Sequence, residues 1–327
     1  MRRVVILLRR RLIAAVPVLL IVIIGAFFLV EAAGGDAVDA YLVSAGGDQG
    51  LAAELRREWG LDQSALARLG AYLWSLARLD LGWSVSFSRP VGTLIAERLP
   101  NTLLLMGSAI ALSFGLGSAL GIVAGARPGS IRDRALSIAS LALYAVPGFW
   151  LGLVLTVIFA IELRWLPLSG IETIASGKSG FVRAGDIALH LVLPVAALGF
   201  IYLALYLRTM RAAMAEVWRL DFVLAAKARG LPRSRIVLAH VARNALLPVV
   251  TVLGVQSATM IGGSVVIETV FSIPGLGRLA QEAVGSRDTP LLIGIIIVSA
   301  LMVTAINLAV DLVYALLDPR IGSGAEA

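Results

Sequence analysis

The sequence predicts an all-α polytopic membrane protein with six transmembrane helices and both termini in the cytoplasm. Three observations carry that expectation. Of 327 residues, 59% are hydrophobic and 15% charged, against roughly a quarter charged in soluble domains; one soluble core could not hide that much apolar surface. Six apolar stretches, at 12–30, 101–126, 135–161, 187–207, 245–267 and 290–310, contain no Lys, Arg, Asp or Glu and reach the length of about 20 residues that a helix needs to cross hydrocarbon. Finally, Lys and Arg divide unequally between the two sides that six crossings create.

The first stretch follows Arg2, Arg3, Arg9, Arg10 and Arg11. These resemble the basic start of a secretory signal, but the apolar run is longer than a signal core and no small-x-small cleavage site follows it promptly. Residues 1–30 therefore read as a cytoplasmic N-terminus and an uncleaved first span. Residues 31–100 form a long outer segment. Within it Leu66, Leu69, Leu73 and Leu76 recur at helical spacing, with Arg68 and Arg78 on other faces, which predicts an amphipathic helix lying on the bundle. Trp59, Trp74 and Trp83 suit the membrane–water interface. With the N-terminus inside, the cytoplasmic segments hold 17 of the 28 Lys and Arg and six of the 21 Asp and Glu, so the inner face carries +11 and the outer face −4. A β-barrel does not fit, because the runs are twice the length of a barrel strand and do not alternate.

What is missing narrows the chemistry. There is no Cys, hence no disulfide, thiolate metal site or cysteine nucleophile. His190 and His240 lie too far apart in sequence to suggest a histidine metal site. The net charge of +7 is the signature of inner loops rather than of nucleic-acid binding. Pumps and secondary transporters place carboxylates or histidines at membrane depth; here the apolar stretches hold only His190, which reads as an interfacial or hydrogen-bonded histidine. Gly177-Lys178-Ser179 mimics the end of a phosphate-binding loop, but Glu172 stands where the first glycine is required. No paired carboxylates flank a pocket and no Ser-His-Asp set shares a face. The chain reads as a non-catalytic one without a cofactor of its own, and energy for any transport has to come from elsewhere.

Small residues recur four apart, at Ser113, Gly117, Gly121 and Gly125 in the second stretch and at Gly254, Ala258 and Gly262 in the fifth. Such stripes let helix backbones approach closely, either within the chain or at a subunit interface. Gln256, Ser257, Thr259 and Asn307 are polar but uncharged, and suit either the lining of a translocation path or hydrogen-bonded glue between helices.

The inner loop 208–244 is the most informative segment. Asp221 precedes Phe222-Val223-Leu224-Ala225-Ala226-Lys227-Ala228-Arg229, and Gly230 follows. Asp221 as an N-cap candidate, good helix formers, cations in the last turn and a closing glycine predict a short helix, which Pro232 prevents from continuing simply. Phe222, Leu224 and Leu231 are more apolar than a solvated loop requires. A protruding helix of this kind is a natural handle for a cytoplasmic partner.

The run 221–231, followed by His240 and Arg243-Asn244-Ala245-Leu246-Leu247-Pro248, resembles the signature loop of ABC-importer permeases, in the form found in the dipeptide/oligopeptide/nickel branch. Further landmarks occur in order along the chain. They are Pro90-Val91, Arg98-Leu99-Pro100-Asn101-Thr102, Arg132-Asp133-Arg134, Val146-Pro147-Gly148-Phe149, Trp165-Leu166-Pro167, Glu268 to Gly277 and Asp311 to Arg320. Leu224 stands where many permeases have Glu, and Pro248 lies further from Gly230 than the general spacing; both departures are compatible with the peptide branch.

The resemblance implies a type I importer permease fold, with a core over 101–321 and a tail at 322–327. It implies a bacterial inner-membrane location and uptake of di- or oligopeptides, with nickel, glutathione or oligosaccharide as alternatives on the same architecture. A stand-alone channel or a membrane enzyme is the rival of another class. The implied partners are a homologous second permease, two ATP-binding subunits that hold ATP and magnesium, and an extracytoplasmic solute-binding protein. Asp221, Phe222, Leu224, Ala225, Ala226, Lys227, Arg229, Gly230 and Leu231 become the coupling surface for an ATPase subunit, with Ala225 and Ala226 allowing close approach. Lys227, Arg229, Arg233 and Arg235 either touch that subunit or simply follow the inside-positive rule.

Overall fold

The computed structural model describes residues 2–32, 62–175 and 177–317, with isolated positions at 38, 42, 54, 56 and 57. Trp59, most of the segment 33–61, and the C-terminal landmark from Asp318 onward lie outside the described residues. In hydrocarbon a backbone must satisfy its own polar groups, so long apolar runs become helices. The elements are α1 (Arg2–Ala32), α2 (Ala65–Ala77), a two-residue hairpin of β1 (Trp83–Ser84) and β2 (Arg89–Pro90), then α3 (Val91–Gly125), α4 (Ile131–Ala145) and α5 (Gly148–Glu162). After them come α6 (Gly180–Val217), α7 (Asp221–Ala228), α8 (Arg233–Val270), α9 (Leu276–Gly285) and α10 (Thr289–Leu317).

Among the described residues four helices, α3, α6, α8 and α10, are long and apolar enough to cross a membrane. The expected third span is not one straight helix. It is the pair α4 and α5, bent by 96°. Val146 precedes a proline, which disfavours helical backbone there; it takes ψ 126°, and Pro147 takes ψ 134°, so the chain leaves one helix and starts another. Counted as one, the bent pair makes a fifth crossing. The expected first span falls in α1, whose apolar part Val16–Ala32 is shorter.

The helices outrun the apolar stretches. α3 begins at Val91 and passes Pro100, α6 continues to Val217, and α8 starts at Arg233 with a π-helical section over Ile236–Ala242. The segment 208–244 is thus mostly helix rather than loop. Its arginines, alanines and methionines are good helix formers, and a helix need not end where its apolar face does. Glu97, Asp133, Asp186, Arg211 and Glu268 accordingly sit on helices, beyond the charge-free central stretches.

The chain divides into two compact units. One comprises Met1–Thr102 and Pro274–Ala305. In it the predicted amphipathic helix appears as α2, opened by Ser64, whose Oγ accepts from the Ala67 N–H at 3.4 Å. Leu69 packs with Ile23, Phe27, Ile293 and Ile297, while Leu66 and Trp74 face outward and Arg78 lies 4.7 Å from the Trp74 ring centre. Asp288 is fully buried. It accepts from Ser84 Oγ at 2.6 Å, from the Ser86 N–H at 3.0 Å and from the Leu291 N–H at 3.2 Å. One carboxylate therefore caps α10 and pins the hairpin. The landmarks at 101–102 and 274–276 meet through Asn101 Nδ2 donating to the Pro274 carbonyl and the Leu276 N–H donating to Thr102 Oγ1, each at 2.8 Å.

The other unit comprises Leu103–Ile273 and Ile306–Ala327, with α6 against α8, α4 and α5. The first small-residue stripe is spent inside this unit. A Cβ on Gly117 would lie 2.7 Å from the Leu203 carbonyl oxygen, on Gly121 2.6 Å from Met210 Cβ, and on Gly125 2.8 Å from Met214 Cβ. In the second stripe Gly254 packs near Val310, whereas nothing lies within 4 Å of a Cβ on Gly262. His190 is buried, and its Nδ1 lies 2.8 Å from the Asp186 carbonyl oxygen.

Asp133, 1% exposed, holds α4 to α6. It accepts from Arg211 Nε and from Arg211 Nη2 (3.1 Å), and from the Gly129 N–H at 2.8 Å. Arg211 is itself 42% exposed, so its charge stays solvated without Asp133 and the loss falls on the hydrogen bonds. Asp133→Ala is therefore expected to cost about 1 kcal/mol, read as a lower midpoint in thermal unfolding in detergent.

Candidate functional site

α7 starts one residue earlier than an Asp221 N-cap implies. Leu220 is the N-cap, with ψ 144°, and Asp221 occupies the first turn, where its charge opposes the positive end of the helix dipole. At the other end the Leu231 N–H donates to the Ala226 carbonyl at 3.4 Å and the Gly230 N–H to the Lys227 carbonyl at 2.9 Å. That pair of bonds is a Schellman closure, which requires a left-handed residue at its turn; Gly230 supplies it with φ +70°. Leu231 packs back onto the core beneath the helix.

The two faces of α7 differ. Val223 and Ala226 are buried at 0% and 5% exposure, in a cluster with Tyr206, Met210, Met214, Ile236, Val237 and Val241. Asp221, Phe222, Leu224, Ala225, Lys227 and Arg229 are exposed, Leu224 by 67%. Ala226 must therefore be removed from the expected partner surface. It lies three residues after Val223, on the face that holds α7 to its own unit, and the accessible small residues are Ala225 and Ala228.

Trp218 is the residue that sequence reasoning missed. Its Nε1–H donates to the Gly125 carbonyl at 2.8 Å. Lys227 Nζ lies 5.2 Å and Arg233 Cζ 5.7 Å from its ring centre, and Arg233 Nη2 donates to the Ala126 carbonyl at 2.8 Å. These carbonyls belong to the C-terminus of α3, where acceptors lack helical partners and cations are favoured by the dipole. Of the four cations considered for partner contact, Lys227 and Arg233 thus engage this chain's own tryptophan.

The polar residues proposed for a pathway separate. Thr259 Oγ1 donates to Gln256 Oε1 at 2.8 Å and lies 3.3 Å from the Tyr202 hydroxyl, on an accessible face of α8. Tyr202 also borders a cavity of about 180 Å³, lined by Gly148, Phe149, Ile201 and Gly263 among others. Asn307 is exposed on α10. Ser257 does not join them; it is 1% exposed and donates to the Leu253 carbonyl at 2.7 Å, so it is removed from the lining set. A serine in an apolar helix can satisfy itself one turn back, and its presence alone does not reveal that.

On the loop between α5 and α6, Lys178 is also spoken for. Its Nζ lies 2.5 Å from Asp186, which accepts as well from the Thr173 N–H at 2.7 Å and Thr173 Oγ1 at 2.9 Å. The lysine of the phosphate-loop mimic is therefore a structural tie. Arg183 pairs with Glu172 at 2.6 Å and, by its hydrogen bonds, holds that carboxyl below the ordinary glutamate range. Among the described residues no three His, Asp or Glu side chains gather as a metal site.

α7 is thus a short helix, buried on one face, between the long helices α6 and α8. Residues 117–323 match the family of binding-protein-dependent transport system inner membrane components. The chain belongs to that family. It is 35% identical over 309 residues to the di/tripeptide transport system permease protein DppB of Pseudomonas aeruginosa, covering 90% of this chain and 91% of that one. It is 36% identical over 265 residues to the oligopeptide transport system permease protein AppB of Bacillus subtilis, covering 81% and 83%. A chain of the MetNI methionine ABC transporter, solved in inward-facing conformations, superposes with a TM-score of 0.55 at 16% identity, over 69% of this chain and 96% of that one. That likeness shows the fold. This inner membrane component is accordingly a multi-pass permease subunit, as the landmarks from 90 to 320 implied.

Proposed function

We propose that this permease imports di- or oligopeptides across a bacterial inner membrane, its termini in the cytoplasm, driven by ATP hydrolysed in separate subunits. A homologous second permease completes the passage. Two ATP-binding subunits, which hold the ATP and magnesium, dock below, and a solute-binding protein delivers cargo to residues 31–100, 162–186 and 268–289. The peptide assignment rests on the names of relatives at 35–36% identity.

The observation that carries the coupling role is the division of α7, with Val223 and Ala226 fixed in the core and Phe222 and Leu224 left exposed. A helix rigidly backed by its own bundle transmits displacement, whereas a free loop absorbs it. When two ATPase subunits close on nucleotide, the exposed apolar side chains are pulled with them, and α6 and α8, continuous with the ends of the α7 loop, rock together. Asp221, Ala225, Arg229 and Gly230 complete the surface, with Leu231 packed back onto the core and Lys227 turned toward Trp218. Gln256, Thr259 and Asn307 face the uncharged path, a lining that binds weakly and leaves selection to the binding protein.

Phe222→Glu combined with Leu224→Glu is expected to abolish copurification of the ATPase subunits while leaving the permease in the membrane. A pull-down with subunit identification from nanodiscs checks this; undiminished ATPase recovery would refute the docking assignment.

A further inference from the structure

Trp218 joins three parts of the chain that are far apart in sequence. It lies just after α6, bonds the last turn of α3, and faces Lys227 on α7 and Arg233 at the start of α8. Covalent continuity links α7 only to α6 and α8. Nothing in the chain path ties α7 to α3, whose C-terminus ends more than ninety residues earlier.

We propose that Trp218, with Lys227 and Arg233, is the positioning residue that transmits displacement of α7 to α3, so that three spanning helices move as one when the handle is pulled. The chemistry suits this role. A cation near an aromatic face is attracted to the ring quadrupole, and here two cations share one ring. The indole N–H and the Arg233 guanidinium bond the neighbouring Gly125 and Ala126 carbonyls, acceptors that the end of α3 leaves without helical partners. Gly125 packs so closely on Met214 that a Cβ would lie 2.8 Å away, so this end of α3 is already wedged against α6. Trp218 adds the connection that reaches α7. The linkage is directional, because the Gly125 carbonyl holds the indole edge and the Ala126 carbonyl holds Arg233, while the cations address the ring face.

This inference rests on reading α7 as the handle, and the test separates the two. The chain has no Cys, so Arg127→Cys, just beyond α3, and Ala228→Cys, at the end of α7, give unique sites for spin labels; both residues are exposed. In the assembled transporter the distance between the labels is expected to be narrowly distributed and to broaden with Trp218→Leu. Uphill uptake in vesicles is expected to fall about tenfold, with ATPase subunits still bound and the solute concentration for half-maximal uptake unchanged. Trp218→Phe keeps an aromatic face for the cations but loses the bond to the Gly125 carbonyl, and is expected to restore part of the uptake. An unbroadened distance, wild-type uptake by Trp218→Leu, or failure of Trp218→Phe to outperform Trp218→Leu would each overturn the inference. Intact docking in the Phe222→Glu/Leu224→Glu protein would instead overturn the handle reading.

Discussion

Gly230→Pro is expected to abolish solute-stimulated ATP hydrolysis and uphill uptake while leaving the permease inserted. Gly230 closes α7 at φ +70°, and proline is held near −65°, so the substitution cannot reproduce the turn. It also removes the N–H that bonds the Lys227 carbonyl. With the closure gone, Leu231 is no longer directed back onto the core, and the end of α7 loses its fixed direction. Nothing lies within 4 Å of a Cβ at this position, so the effect is one of backbone angle rather than crowding. Gly230→Asn separates these causes, because asparagine visits the left-handed region at modest cost; it is expected to retain most coupling. ATP hydrolysis with and without loaded binding protein, in reconstituted vesicles, reads both variants. Normal coupling by the proline variant would refute the handle.

Gly121→Ala is expected to destabilise the fold by about 3 kcal/mol, the upper range for forcing atoms into a packed core. The new methyl would lie 2.6 Å from Met210 Cβ and 2.8 Å from the Leu207 carbonyl oxygen. The second contact is with backbone, which a side-chain rotation cannot relieve. Gly115→Ala on the same helix meets nothing within 4 Å and is expected to stabilise by up to about 1 kcal/mol, the helix-propensity difference. Opposite shifts in thermal midpoint, measured in detergent, check both. Equal shifts would show that α3 does not press on α6 as described.

The short helix α7 is legible because its boundaries are written in residues with one strong preference each, an acid at the start and a glycine at the end. Its orientation is not. Phe222, Val223, Leu224, Ala225 and Ala226 are all apolar, so both faces qualify for burial, and only the packing of α6 and the π-helical start of α8 selects Val223 and Ala226. The break in the third span was also hidden. Pro17, Pro100, Pro194 and Pro248 all lie within continuous helices, so a proline in an apolar run does not by itself announce a bend. Trp218 gives no periodic signal, since its partners are the Gly125 carbonyl far upstream and two cations on separate elements.

The bend between α4 and α5 carries a consequence for wetting. α5 opens at Gly148 without any side-chain cap, so its leading amides have no carbonyl a turn behind to accept from them. Acyl tails offer no acceptor, and irregular backbone survives at membrane depth only against protein or water. The hollow bordered by Gly148, Phe149 and Tyr202 adjoins that end of α5, so water entering it would offer those amides acceptors, and filling it with a larger apolar side chain is expected to dry and stiffen the bend.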